Sequence, residues 1–165
     1  MFDRSVLFVG AEGIGLAMLA EALALDCTRL SAGPLPLRVY SATSSDAAQS
    51  DPVMLRAMDR LKLDTKGLSL KPLALYAFAG APRLDHVILL NAELPAATKL
   101  ALGETLDVRH WDIDMNAADE DAMSPGARYN NYLSLAERLK PRVQNLVDEL
   151  TDLSGLADEP FAHSA

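Results

Sequence analysis

Cysteine is nearly absent: Cys27 is the only one in 165 residues. An intramolecular disulfide framework is excluded, and a reducing cytoplasmic setting is the expectation. Long apolar runs are missing too. Nothing approaches the roughly 20 apolar residues that a membrane-crossing helix needs, and the most apolar stretch, "LAMLAEALAL" (residues 16–25), reads as a buried helix. No membrane association is expected. No secretory leader is expected, because "MFDRS" passes straight into the strand-like "VLFVG" without a basic region, a long apolar region or a cleavage site. Positive charge is scarce: 15 basic residues face 23 acidic ones, a net charge of -8. Such a field repels polyanions, so nucleic acid is not an expected partner. The three histidines, His86, His110 and His163, show no ligand spacing, so no metal is expected.

What is present is apolar sequence in short and long segments by turns. With 50% apolar residues the chain can bury the core of one domain. Residues 1–153 read as a single α/β domain and residues 154–165, which lack periodicity, as a loose tail. Strands are expected at residues 5–9, 37–42, 85–91 and 106–114, the first a continuous apolar run of the kind buried on both faces. Leu16, Leu19, Ala20 and Leu23 make one helical face over residues 13–27. Asp51 and Pro52 form an N-cap and first-turn pair, followed by the stripe Val53, Met54, Ala57, Met58 and Leu61. A short helix falls near residues 95–102. Ser124 and Pro125 open a last helix with the seam Leu139, Val143, Leu146 and Leu150, and Pro141 is expected to bend it. Tyr129 and Tyr132 share a face of that helix. Alternating strands and helices indicate a three-layer, doubly wound α/β fold with about four parallel strands and about five helices. Ligands of such folds bind at the carboxyl ends of the strands.

The turn after the first strand is glycine-rich: Gly10, Ala11, Glu12, Gly13, Ile14, Gly15. Turns of this kind aim backbone N–H groups at one point beside a helix start and so cradle anions. The same glycines also serve simply to let a helix pack tightly on a strand. A dinucleotide reading needs an acidic residue at the tip of the second strand. "RVYSATSS" offers none, and Glu12 would repel a pyrophosphate. A nucleotide- or phosphate-ligand enzyme using residues 10–15 stays open as the alternative.

Longer stretches carry a resemblance. "SVLFVGAEGIGLAMLAEAL" resembles the signature of low-molecular-weight tyrosine phosphatases and arsenate reductases, in which "VLFVC" runs through five residues into "RSPxAEA". Gly10 falls on the nucleophilic cysteine and Leu16 on the phosphate-binding arginine. Ala20, Glu21 and Ala22 match outright. "VYSATSS" resembles the family's "xxSAGT" strand end, and residues 63–73 resemble "IDLSGHRSRPL" with Leu68 in place of histidine. "LDHVILLNAE" is similar to the "fDlIltMd" strand. Residues 111–114 resemble "WxipDP", which puts Asp114 at the general-acid position with Met115 replacing the proline.

The resemblance implies a family chemistry whose residues are missing here. A thiolate attacks phosphorus, loop amides and an arginine hold the phosphoryl oxygens, and an aspartic acid protonates the leaving group. Gly10 has no nucleophile and no hydroxyl in residues 11–17 replaces it. Leu16 removes the bidentate cation. Cys27 lies far along the following helix, where a thiolate is disfavoured, and reads as a buried or half-buried bystander. Asp112 and Asp114 alternate along a strand and read as solvated loop acids. The expectation is therefore a catalytically dead member of this fold: a regulatory or structural binding module with no cofactor, a protein partner and the option of a homodimer.

Overall fold

The computed structural model describes residues 4–10, 15–30, 37–44, 52–66, 68, 71–78, 80–103, 106–113 and 124–151. Five parallel strands form one sheet in the order β3-β2-β1-β4-β5. They are β1 (Arg4–Gly10), β2 (Leu37–Thr43), β3 (Lys71–Pro72), β4 (His86–Leu90) and β5 (Asp107–Trp111). Four of these are the expected strands. The fifth, β3, is two residues long and follows Ala42 and Thr43 in register, too short to leave any alternation in the sequence.

Helices α1 (Leu16–Leu30), α2 (Pro52–Arg60), α3 (Ala96–Leu102) and α4 (Pro125–Thr151) connect and cover the strands, with a 3-10 turn at Leu73–Tyr76. Helix α1 begins at Leu16, with Gly15 outside it accepting the first helical bond from Leu19 at 3.0 Å. Helix α4 opens as its sequence indicates, since the Ser124 hydroxyl accepts the Ala127 N–H at 3.2 Å. It continues unbroken through Pro141, which faces solvent.

Alternation along β1 divides the core. Val6 and Phe8 face one side and join α1, α2 and α4 in the larger cluster, together with Ile88 and Leu90 of β4. Leu7 and Val9 face the other side, where Leu73, Tyr76, Leu84, Val87 and Leu89 form a smaller one. Three long or amphipathic helices cover the first face. A 3-10 turn, connecting segments and the seven-residue α3, which buries no residue, cover the second. Leu75, Phe78 and Leu100 remain exposed on elements of that thinner layer.

Strand order reverses between β1 and β4, so the crevice that doubly wound folds use for ligands opens beyond Gly10 and Leu90. No helix among the described residues is long and apolar enough to cross a membrane.

Candidate functional site

Gly10 ends β1 at that crevice, paired in register with Thr43 on one side and Leu90 on the other. Its carbonyl accepts the Ser44 N–H at 3.1 Å, which ties the end of β2 to it. A side chain has little room there. A Cβ placed on Gly10 would lie 3.2 Å from both the Cβ and the backbone N of Ala17, so the strand end and the helix start have closed on each other. Gly15 is tighter still: a Cβ would approach the Met54 methyl of α2 to 2.9 Å. Met54 is fully buried and fills the space beside the turn.

Leu16, aligned with the family's arginine, is 1% exposed and belongs to the large core cluster. Its side chain packs as a core leucine. Leu68, aligned with the family's histidine, also packs against that cluster while half-buried. Ala11, Glu12, Gly13, Ile14 and Asp114 lie outside the described residues, as does His163.

Just below the strand ends the fold pairs polar groups whose contact no local sequence pattern records. Glu21, on α1, is buried, and the Ser41 hydroxyl of β2 donates to its Oε2. Burial pushes the Glu21 carboxyl above its ordinary range, offset in part by the Ser41 hydrogen bond and the Lys71 charge. On the opposite face of the sheet the Tyr76 hydroxyl donates to the Ser41 carbonyl at 3.3 Å. Burial, with the Glu21 and Tyr40 charges behind it, pushes that phenol up to about 12. The signal for this group was an acidic residue inside the apolar run of α1.

Asn91, just past β4, has a positive φ of 50°. Its side chain clamps Ile113: Nδ2 donates to the Ile113 carbonyl and the Ile113 N–H donates to Oδ1, both at 2.8 Å. The clamp extends the β4–β5 pairing by side-chain means and fixes the chain immediately before Asp114. Asp112, beside it, is exposed and lends its carbonyl to Arg142 at 3.3 Å.

Other candidates scatter. Cys27 is 3% exposed, and burial followed by the Asp26 charge pushes its thiol up, away from nucleophilic character. His86 pairs with Asp107 at 3.0 Å at the amino end of the sheet, remote from the crevice. His110 is exposed beside Glu93 and Asp112. Tyr132 is buried in the core, whereas Tyr129 is half-exposed. Among the described residues no group of three or more His, Cys, Asp or Glu is placed to hold a metal ion.

No protein-family model matches the chain, and no curated protein matches its sequence. Solved structures do. An arsenate reductase in a phosphate binding state superposes with a TM-score of 0.61 at 22% identity, covering 89% of this chain and 98% of that one. The YwlE arginine phosphatase superposes at 0.59 with 15% identity over 89% of this chain and 95% of its own. A thioredoxin-dependent arsenate reductase of Corynebacterium glutamicum gives 0.56 at 15% identity, over 89% of this chain and 61% of that one. The five-stranded parallel sheet and its helices thus form the fold shared by arsenate reductases and low-molecular-weight phosphatases.

Proposed function

We propose that this chain is a non-catalytic binding module on an arsenate reductase and phosphatase fold. The observation that carries the reading is Leu16. At the position the resemblance gives to the phosphate-binding arginine stands a leucine that is 1% exposed and part of the main core. A guanidinium aimed at an oxyanion has been exchanged for core packing, so the crevice has lost its main cation at this position.

Gly10 supports the same conclusion, since it supplies no nucleophile and its Cβ position is already crowded by Ala17. Cys27 does not substitute for it, being a buried thiol with a raised pKa. What survives is the framework: Glu21 on Ser41, and Asn91 on Ile113, hold the rim of a crevice in shape. A preserved frame without reacting groups fits recognition of a protein partner.

The test is hydrolysis of a generic aryl phosphate by the purified chain, with background rates expected. Turnover that survives rigorous purification and disappears in Cys27→Ser would overturn the reading and make Cys27 the nucleophile.

A further inference from the structure

Helix α2 buries Val53, Met54, Ala57 and Met58 and turns Arg56, Asp59 and Arg60 to solvent. These three residues form one wall of a groove of about 600 Å³ whose other wall is Pro125, Gly126 and Tyr129 of α4. The rim at Gly126 is open: beyond its own stretch of helix, no described residue has an atom within 4 Å of where a Cβ would stand.

Arg56 and Arg60 are one helical turn apart, about 6 Å between Cβ atoms. No described residue holds either in an ion pair, although Arg29, Arg83 and Arg109 each have a carboxylate partner. Arg60 alone would be accounted for as a cation in the last turn of a helix. Arg56 has no such account. Two guanidiniums without an ion-pair partner among the described residues therefore line one groove on a molecule whose net charge is -8.

We propose that this groove binds an extended acidic segment of a partner protein, with two carboxylates docking on Arg56 and Arg60. This rests on the binding-module reading. In an extended chain, side chains at i and i+2 point the same way about 7 Å apart, which matches the spacing of the arginines. Guanidiniums take carboxylates through paired hydrogen bonds, and the open rim admits a continuous chain. The half-exposed Tyr129 offers its ring and hydroxyl to the residue between the two acids. Asp59 and the net charge of -8 both work against an acidic guest and limit affinity, so the attraction is confined to the local pair of arginines.

The probe is a fluorescent peptide of alternating glutamate and serine, titrated by anisotropy into the full chain at low and at moderate salt. Saturable binding that weakens with salt is expected. The double variant Arg56→Gln with Arg60→Gln should weaken it about tenfold or more. Asp59→Asn should tighten it, and Arg83→Gln, an exposed arginine elsewhere, should leave it unchanged. No saturable binding, or equal losses in the Arg83 control, would overturn the proposal. Inorganic phosphate binding there with no response to the peptide would also overturn it, in favour of a small-anion site. Aryl phosphate turnover by the same preparation would refute the non-catalytic reading, while Arg56- and Arg60-dependent peptide binding would still stand.

Discussion

Leu16 and Glu21 sit five residues apart on α1, and their chemistries pull the helix in opposite ways. Leu16 is a core leucine at the position that the resemblance gives to an arginine. Leu16→Arg would carry an unpaired guanidinium into the core and should cost about 3–5 kcal/mol in a denaturant titration. A loss below 1 kcal/mol would show that the side chain has an easy path to the crevice, and would weaken the non-catalytic reading. Glu21 is a charge kept inside. Because its folded pKa is raised, its contribution to stability is full at pH below the ordinary carboxylate range and is lost as pH climbs through that range towards neutrality. Glu21→Gln keeps an acceptor for Ser41 but removes the titration. Melting temperatures of wild type should therefore fall relative to the variant between acid and neutral pH, and parallel curves would mean that Glu21 does not titrate in that window. Asp107 has the opposite slope: burial raises its carboxyl, but hydrogen bonds from His86 and Arg109 outweigh that and hold it low, so its contribution is lost on acidification.

At the scale of elements, two features invite substitution. Asn91 combines a left-handed backbone with the clamp on Ile113. Asn91→Gly should lose only the two hydrogen bonds, about 1–3 kcal/mol, whereas Asn91→Ala should lose more because a Cβ is strained at that φ. Equal losses in chemical denaturation would show that the backbone there relaxes freely. Helix α4 carries Pro141 on an exposed position of its interior. Pro141→Ala restores an N–H and removes a clash, and should stabilise by about 1–3 kcal/mol. Destabilisation instead would mean that a bend at Pro141 seats the Leu139, Val143 and Leu146 seam. Such elements were the legible part of the sequence: the apolar run of β1, the Pro52 start of α2 and the seam of α4 each announce themselves locally, while Asp51 lies outside the described residues. The two-residue β3, the Asn91 clamp and the Glu21–Ser41 bond depend on residues that meet only after folding, and no local pattern records them. Of the glycine segment only Gly10 and Gly15 are among the described residues, at the end of β1 and just before α1. The packing of Leu16 and the crowding at Gly10 arise only once strand and helix have met.

For the whole molecule, the unequal layers set how it breathes. The face under α1, α2 and α4 holds the large cluster, and the opposite face is held by Leu73, Tyr76 and Leu84 under a short cover. Amide exchange should be fastest in the 3-10 turn and α3 and slowest in β1 and α1. Protection of α3 equal to that of α1 would mean that the thin layer is more firmly closed than its burial indicates. The two borders of the sheet are unequal as well. At β3 the outermost strand is two residues long and ends in Pro72, which has no N–H to offer an incoming strand. At β5 the border is five residues long, and no described strand flanks it. Addition of a strand is thus favoured on one side only. Among the described strands, two molecules joined β5 to β5 would present a two-residue β3 border at each end, a border poorly suited to further strand addition.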